Sequence, residues 1–159
     1  MLLGLEDALK NRFMTPFRLK HNEFLAEIES LQRRLLQVQK VDKSSEGSSE
    51  LLETLSIFLG RITRHMQQEE QGLYSFLPYF VDKDLIDLMI NAHQNLTEDI
   101  AEIKTPRGKN SPYFSSQWFL SVNNFLSLKK EHLRKESAVV FWLAEVKTRR
   151  STYFHDPHT

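Results

Sequence analysis

Apolar positions along the chain recur at alternating intervals of three and four, the spacing of helices with one buried stripe. Four such stripes can be followed. The first reads Phe17, His21, Phe24, Ile28, Leu31, Leu35, Val38. The second reads Leu51, Leu55, Phe58, Ile62, His65, Glu69, Gly72, Phe76. The third reads Ile86, Met89, His93, Leu96, Ile100, Ile103. The fourth reads Trp118, Val122, Phe125, Lys129, His132, Glu136, Val139, Leu143, Val146.

Local punctuation sets the ends. Thr15-Pro16 supplies a capping residue and a first-turn proline, predicting a helix from 15 to about 41. The turn formers DKSSEGSS precede a helix predicted over about 50–77, which Pro78 interrupts. A third is predicted over 82–104, ahead of Thr105-Pro106, and a fourth over about 117–148, after PRGKNSPYFSS. Short connections between long amphipathic helices favour antiparallel neighbours. The expected fold is therefore all-α, an antiparallel up-down-up-down four-helix bundle over 15–148, with an N-terminal arm at 1–14 and a C-terminal tail at 149–159. In the arm, Leu2, Leu3, Leu5 and Leu9 are suited to capping the bundle's end or to a dimer contact.

Composition narrows the chemistry. Basic and acidic residues balance at 21 each, so neither nucleic acid nor an anionic membrane is expected as a partner. The absence of Cys excludes disulfides, thiolate metal sites and Cys catalysis, and fits a reducing, cytoplasmic setting. The start, MLLGLEDALKNRF, is too short and too soon acidic for a signal peptide, and no stretch approaches the roughly 18 apolar residues of a membrane span.

The polar exceptions on the stripes are the informative residues. Near the middle of each stripe stands a His, and on the second and fourth a Glu follows four residues later on the same face. A lone His on an apolar face is ordinarily a hydrogen-bonded core residue. Four of them converging with two carboxylates are another matter, because burying an unpartnered carboxylate costs several kcal/mol. A divalent metal is the common partner that suits imidazole and carboxylate together, with iron, manganese and zinc all open on this ground. The order is also a weak internal repeat: His21 then HMQQE, His93 then HLRKE. Such a repeat makes a pseudo-twofold pair of metal positions, each with two His and both bridged by the Glu pair.

These motifs, together with the flanks HMQQEEQGLYSFLP and HLRKESAVVFW, resemble the hemerythrin-like HHE cation-binding family over roughly 15–147. The resemblance implies a non-haem di-iron centre with His21, His65, His93 and His132 as terminal ligands. It implies Glu69 and Glu136 as bridging carboxylates and an oxide or hydroxide between the two iron ions. Ferritin-like proteins use Glu-x-x-His and more carboxylate, which does not match the order here. The oxygen-carrying hemerythrins differ too, with an extra His where this chain has Thr97 and a terminal Asp where it has Glu136. Two octahedral ions offer about twelve positions, of which this ligand set fills about ten, leaving about one open on each. An open site holds oxygen less safely. The resemblance therefore points to binding of O2 or NO in gas or redox sensing, or in nitrosative or oxidative stress. The alternatives are an oxidative or NO-reducing di-iron enzyme, oxygen or iron storage, and an iron-sensing module. The oligomeric state, monomer or dimer, stays open.

Other positions carry weaker signals. Gly72, one turn beyond Glu69, and Thr97, one turn beyond His93, are candidate ligand-access positions. Lys129 is expected to carry its ammonium to an edge of the bundle, with an anion-holding role near the site as the less favoured alternative. Glu70 is expected on the solvated side, and His155 and His158 in the polar tail are assigned no function.

Overall fold

A computed structural model describes residues 15–41, 46–79, 81–105, 112–142 and 146 of the 159-residue chain. The expected arm, the tail with His155 and His158, and the side chains of Phe76, Val139 and Leu143 lie outside what is described. Helix α1 spans Thr15–Lys40 and α2 spans Glu46–Gln68. A π-helical segment, Glu69–Leu73, continues α2 into a helical turn at Tyr74–Phe76 and a 3-10 turn at Leu77–Tyr79. Helix α3 spans Lys83–Lys104 and α4 spans Ser116–Lys135, continued by a second π segment, Glu136–Phe141. No strand occurs among the described residues. None of the described helices is long and apolar enough to cross a membrane.

One boundary differs from expectation, while the interruption expected at Pro78 is present. Helix α2 starts at Glu46, so part of the serine-rich run is helical, with Ser48 already buried. Pro78 sits inside a 3-10 turn, where its missing N–H is less costly than in an α-helix. At the start of α4 the Ser115 side chain accepts the Trp118 N–H at 3.1 Å, satisfying one orphan donor of the first turn.

Pairings across the bundle run in opposite directions. On α1 and α2, Glu27 accepts from Arg61 while Arg34, further along α1, donates to Thr54, nearer the start of α2. On α1 and α4, Glu29 pairs with Lys130 and Gln32 donates to Asn123 and Ser127. The helices are thus antiparallel neighbours in a four-helix bundle. The stripes meet in the interior: Phe24, Ile28, Leu51, Ile62, Val122 and Phe125 are each completely buried. Burial of such a side chain contributes about 1.5–3 kcal/mol. A smaller cluster of Leu73, Tyr74, Leu77, Val81, Ile86 and Met89 closes the end where α2 turns into α3. Between the two clusters lies the polar layer.

Candidate metal centre

Each helix delivers its polar stripe residues to one level of the bundle. His21 comes from α1, His65 and Glu69 from α2 and its π segment, His93 from α3, and His132 and Glu136 from the end of α4. None is more than 5% exposed. Their donor atoms form two groups within which all lie within 4.8 Å of one another: His21, His65 and Glu69, and then Glu69, His93, His132 and Glu136. Glu69 belongs to both. Its Oε1 lies 3.1 Å from His21 Nε2 and also contacts His65 Nε2, while its Oε2 lies 3.5 Å from His93 Nε2. Glu136 Oε1 lies 2.7 Å from His132 Nε2 and 4.0 Å from His93 Nε2. The His21 and His65 rings meet edge-on at 5.1 Å, and the His93 and His132 rings do so at 4.7 Å. The internal repeat is thus visible in space as two imidazole pairs flanking a carboxylate pair.

Protein partners alone leave this cluster unsatisfied. His65 Nε2, His93 Nε2, His132 Nε2 and Glu136 Oε1 are buried without a hydrogen-bond partner among the described residues. Buried polar atoms are ordinarily paired, and these four all point into the same cluster. A cation would take all four as ligands, so the residues present fit a metal.

Three residues that stripe spacing did not single out support the cluster. Tyr74, 3% exposed, donates its phenol O–H to Glu136 and lies 3.3 Å from Glu69 Oε2. Its ring stacks on His93 at 5.4 Å. Glu70 Oε1 lies 2.9 Å from His93 Nδ1, and Ser137 Oγ lies 3.1 Å from His21 Nδ1. A neutral imidazole that donates from Nδ1 presents its Nε2 lone pair inward, the orientation a metal ligand needs.

The π segments explain why Tyr74 escapes the three-and-four rule. The Tyr74 amide bonds to the Glu69 carbonyl, a spacing of five, so the wider turn carries the phenol round to the face of the carboxylate. Both π segments begin at a buried Glu, one in each half of the repeat.

Glu70 stands on the solvated side as expected, its side chain 39% exposed, and in addition contacts His93. Other expectations need correction. Lys129 does not reach an edge: it is completely buried, and its Nζ has no hydrogen-bond partner among the described residues. Thr97 is exposed and its hydroxyl is spent on the His93 carbonyl at 2.8 Å. The buried face of α3 advances from His93 through Leu96 to Ile100, leaving Thr97 outside it. Gly72 is half-buried and lines a cleft with Phe17, Lys20, Gln68 and His65. A second cleft, between α3 and α4, reaches His132 past Met89, Ala92 and Leu96.

The electrostatics follow from two carboxylates in a dry interior. Burial pushes the Glu69 carboxyl up, but its close polar neighbours, Glu136 and the imidazoles of His21, His65 and His93, outweigh it and hold the group well below the usual range. Burial pushes His93 down, but Glu136 and Glu69 prevail and its pKa is pushed up to about 9. Burial lowers His132, with Glu136 only partly opposing it. Burial and then the two carboxylates raise the Tyr74 phenol far above its ordinary value, so it stays a donor. The cluster attracts positive charge, and His93 takes up a proton where no cation supplies it.

The chain has no match among curated proteins or solved structures. The sequence profile of the Hemerythrin HHE cation binding domain, however, matches residues 15–144. That span includes all four helices and all six clustered His and Glu residues. With the bundle and its buried His/Glu layer, it places the chain in the hemerythrin HHE cation-binding family.

Proposed function

We propose that the chain is a non-haem di-iron protein that binds O2 or NO in gas or redox sensing or in the response to nitrosative or oxidative stress. The observation that carries the reading is the pair of ligand groups sharing Glu69, with four buried ligand atoms lacking a hydrogen-bond partner among the described residues. His21 and His65 would hold one ion and His93 and His132 the other, with Glu69 and Glu136 spanning both. When bound, two iron ions supply reversible one- and two-electron chemistry toward small diatomic ligands.

The chain's own residues do the rest. Glu70 and Ser137 fix two imidazoles from behind. Tyr74 donates to Glu136, approaches Glu69 and offers a proton that burial keeps in place. The cleft past Gly72 and Phe17 to His65 and the cleft past Met89 and Ala92 to His132 are the ways in for a small ligand. The apolar seams beyond the cluster limit water.

Anaerobic loading with ferrous iron, metal analysis, and absorption spectra before and after O2 or NO test the reading. About two iron per chain are expected, falling sharply in His65→Ala and Glu136→Ala but not in His155→Ala. Zero or one iron after careful loading refutes it.

A further inference from the structure

The sequence repeat makes the two metal positions look equivalent, but the folded chain distinguishes them in three ways that favour the same side. The first is the number of ligand residues. His21, His65 and Glu69, on the α1/α2 side, make a group of three, whereas Glu69, His93, His132 and Glu136, on the α3/α4 side, make a group of four. Tyr74 accounts for this difference. Its O–H donates to Glu136 Oε2, while Glu136 Oε1 faces His132 and His93. One oxygen of Glu136 thus serves the α3/α4 position and the other is spent on the phenol.

The second difference is where the unsatisfied atoms lie. Among the buried ligand atoms without a hydrogen-bond partner in the described residues, His93 Nε2, His132 Nε2 and Glu136 Oε1 belong to the group of four and His65 Nε2 to the group of three. Leaving such atoms unpaired is costly, so a cation gains most where most of them face it.

The third lies behind the rings. Glu70 contacts His93 Nδ1 at 2.9 Å, and Ser137 Oγ contacts His21 Nδ1 at 3.1 Å. An ionised carboxylate only accepts, so the Nδ1 hydrogen of His93 stays in place and Nε2 is the nitrogen left to ligate. A hydroxyl donates or accepts. His21 can therefore keep its hydrogen on Nε2 and give it to Glu69 Oε1, 3.1 Å away, which satisfies that pair without a metal.

We propose that the two positions fill in a fixed order: the α3/α4 position takes a divalent cation first, and the α1/α2 position fills second, when Glu136 Oε2 leaves Tyr74 to join it. The inference rests on the di-iron reading above and adds an order to it, so that over a range of metal concentration the chain carries one ion. The first step should be about ten- to a hundredfold tighter than the second, the range for a partner behind a ligating His.

The test is an anaerobic titration of metal-free, full-length protein with cobalt(II), followed by absorption in competition with a chelator. Repulsion between two cations also separates the steps of an equivalent pair, so variants read the position. His65→Ala should keep the tight step at wild-type strength and lose the weak one. His132→Ala should lose the tight step. Tyr74→Phe releases Glu136 Oε2 and should bring the two steps closer by about tenfold, the lower end for a hydrogen bond to a charged group. The wild type gives a readout that depends on no variant folding: at one equivalent of cobalt, contact-shifted imidazole protons should come from one pair of histidines. Contact shifts from all four at one equivalent, or equally tight steps left in His65→Ala and His132→Ala, overturn the order while leaving the di-iron reading intact. An unchanged gap in Tyr74→Phe overturns the part given to the phenol. A wild type that takes up no more than one ion at saturating metal overturns the di-iron reading itself.

Discussion

Tyr74→Phe removes one oxygen and nothing else. The ring that stacks on His93 remains, and so does the backbone bond from residue 74 to the Glu69 carbonyl. What goes is the single O–H that donates to Glu136 and approaches Glu69, both without exposed surface. A hydrogen bond to a charged group contributes about 1.5–3 kcal/mol. Leaving a buried carboxylate oxygen short of a donor puts the cost at the upper end, about 3 kcal/mol. For a chain of this size each kcal/mol moves the melting temperature by about 2–4 °C, so the metal-free variant should melt roughly 6–12 °C lower than the metal-free wild type. In the loaded protein a cation takes over much of the neutralisation of the carboxylates, and the gap should narrow. Paired melts followed by circular dichroism, with and without verified metal, measure both differences. A metal-free Tyr74→Phe protein as stable as the wild type would refute the idea that the phenol holds the carboxylate pair.

Further outcomes follow from the same geometry. Removing the metal from a protein loaded at a thousandfold excess over its dissociation constant forfeits about 4 kcal/mol, and calorimetry should show a drop of roughly 8–16 °C. Glu70→Gln should weaken metal binding by about tenfold, the lower end for a partner behind a ligating His, since Glu70 is partly exposed; competition with a chelator measures it. Metal-free protein should be most stable in mild acid. His93 is raised, so its contribution is complete below about 6.5 and is lost as the pH climbs toward 9; Glu69 is lowered, so its contribution is lost as the pH falls below the ordinary Glu range. Denaturant melts across pH would show a flatter alkaline limb in His93→Gln.

The bundle and its six clustered residues were legible because burial in a helix is a matter of angle, and spacing reports angle. Every described residue on the α3 stripe from Ile86 to Ile103 is buried, as is every α1 stripe residue from His21 to Val38. The convergence of His and Glu on one level followed from the same periodicity. Spacing failed where the angle changed or where burial was inferred from residue type. Tyr74 became a partner of Glu69 because a π turn altered the rotation per residue, and nothing in EEQGLY announces that turn. Glu70 and Ser137 lie beside the stripes and act through the outer nitrogens of His93 and His21, a relation that depends on neighbouring helices. Lys129 was placed correctly on the stripe, but its chemistry suggested an exit to water that the packed interior does not provide. Thr97 shows the converse, a residue four beyond a buried His that nevertheless falls outside the stripe.

The contact between His21 and Ser137 joins residues 116 positions apart. The first ligand group is complete once residue 69 has been synthesised, but the second waits for α4. During translation, then, the nascent chain carries half a chelating set with no bundle to shelter it, and the full set exists only after the last helix docks. Occupancy of the centre thereby certifies that all four helices have closed. Proteolytic nicking of any one of the three connections would leave the ligands divided between two fragments, so loss of bound metal would be an early sign of a cut at any of them.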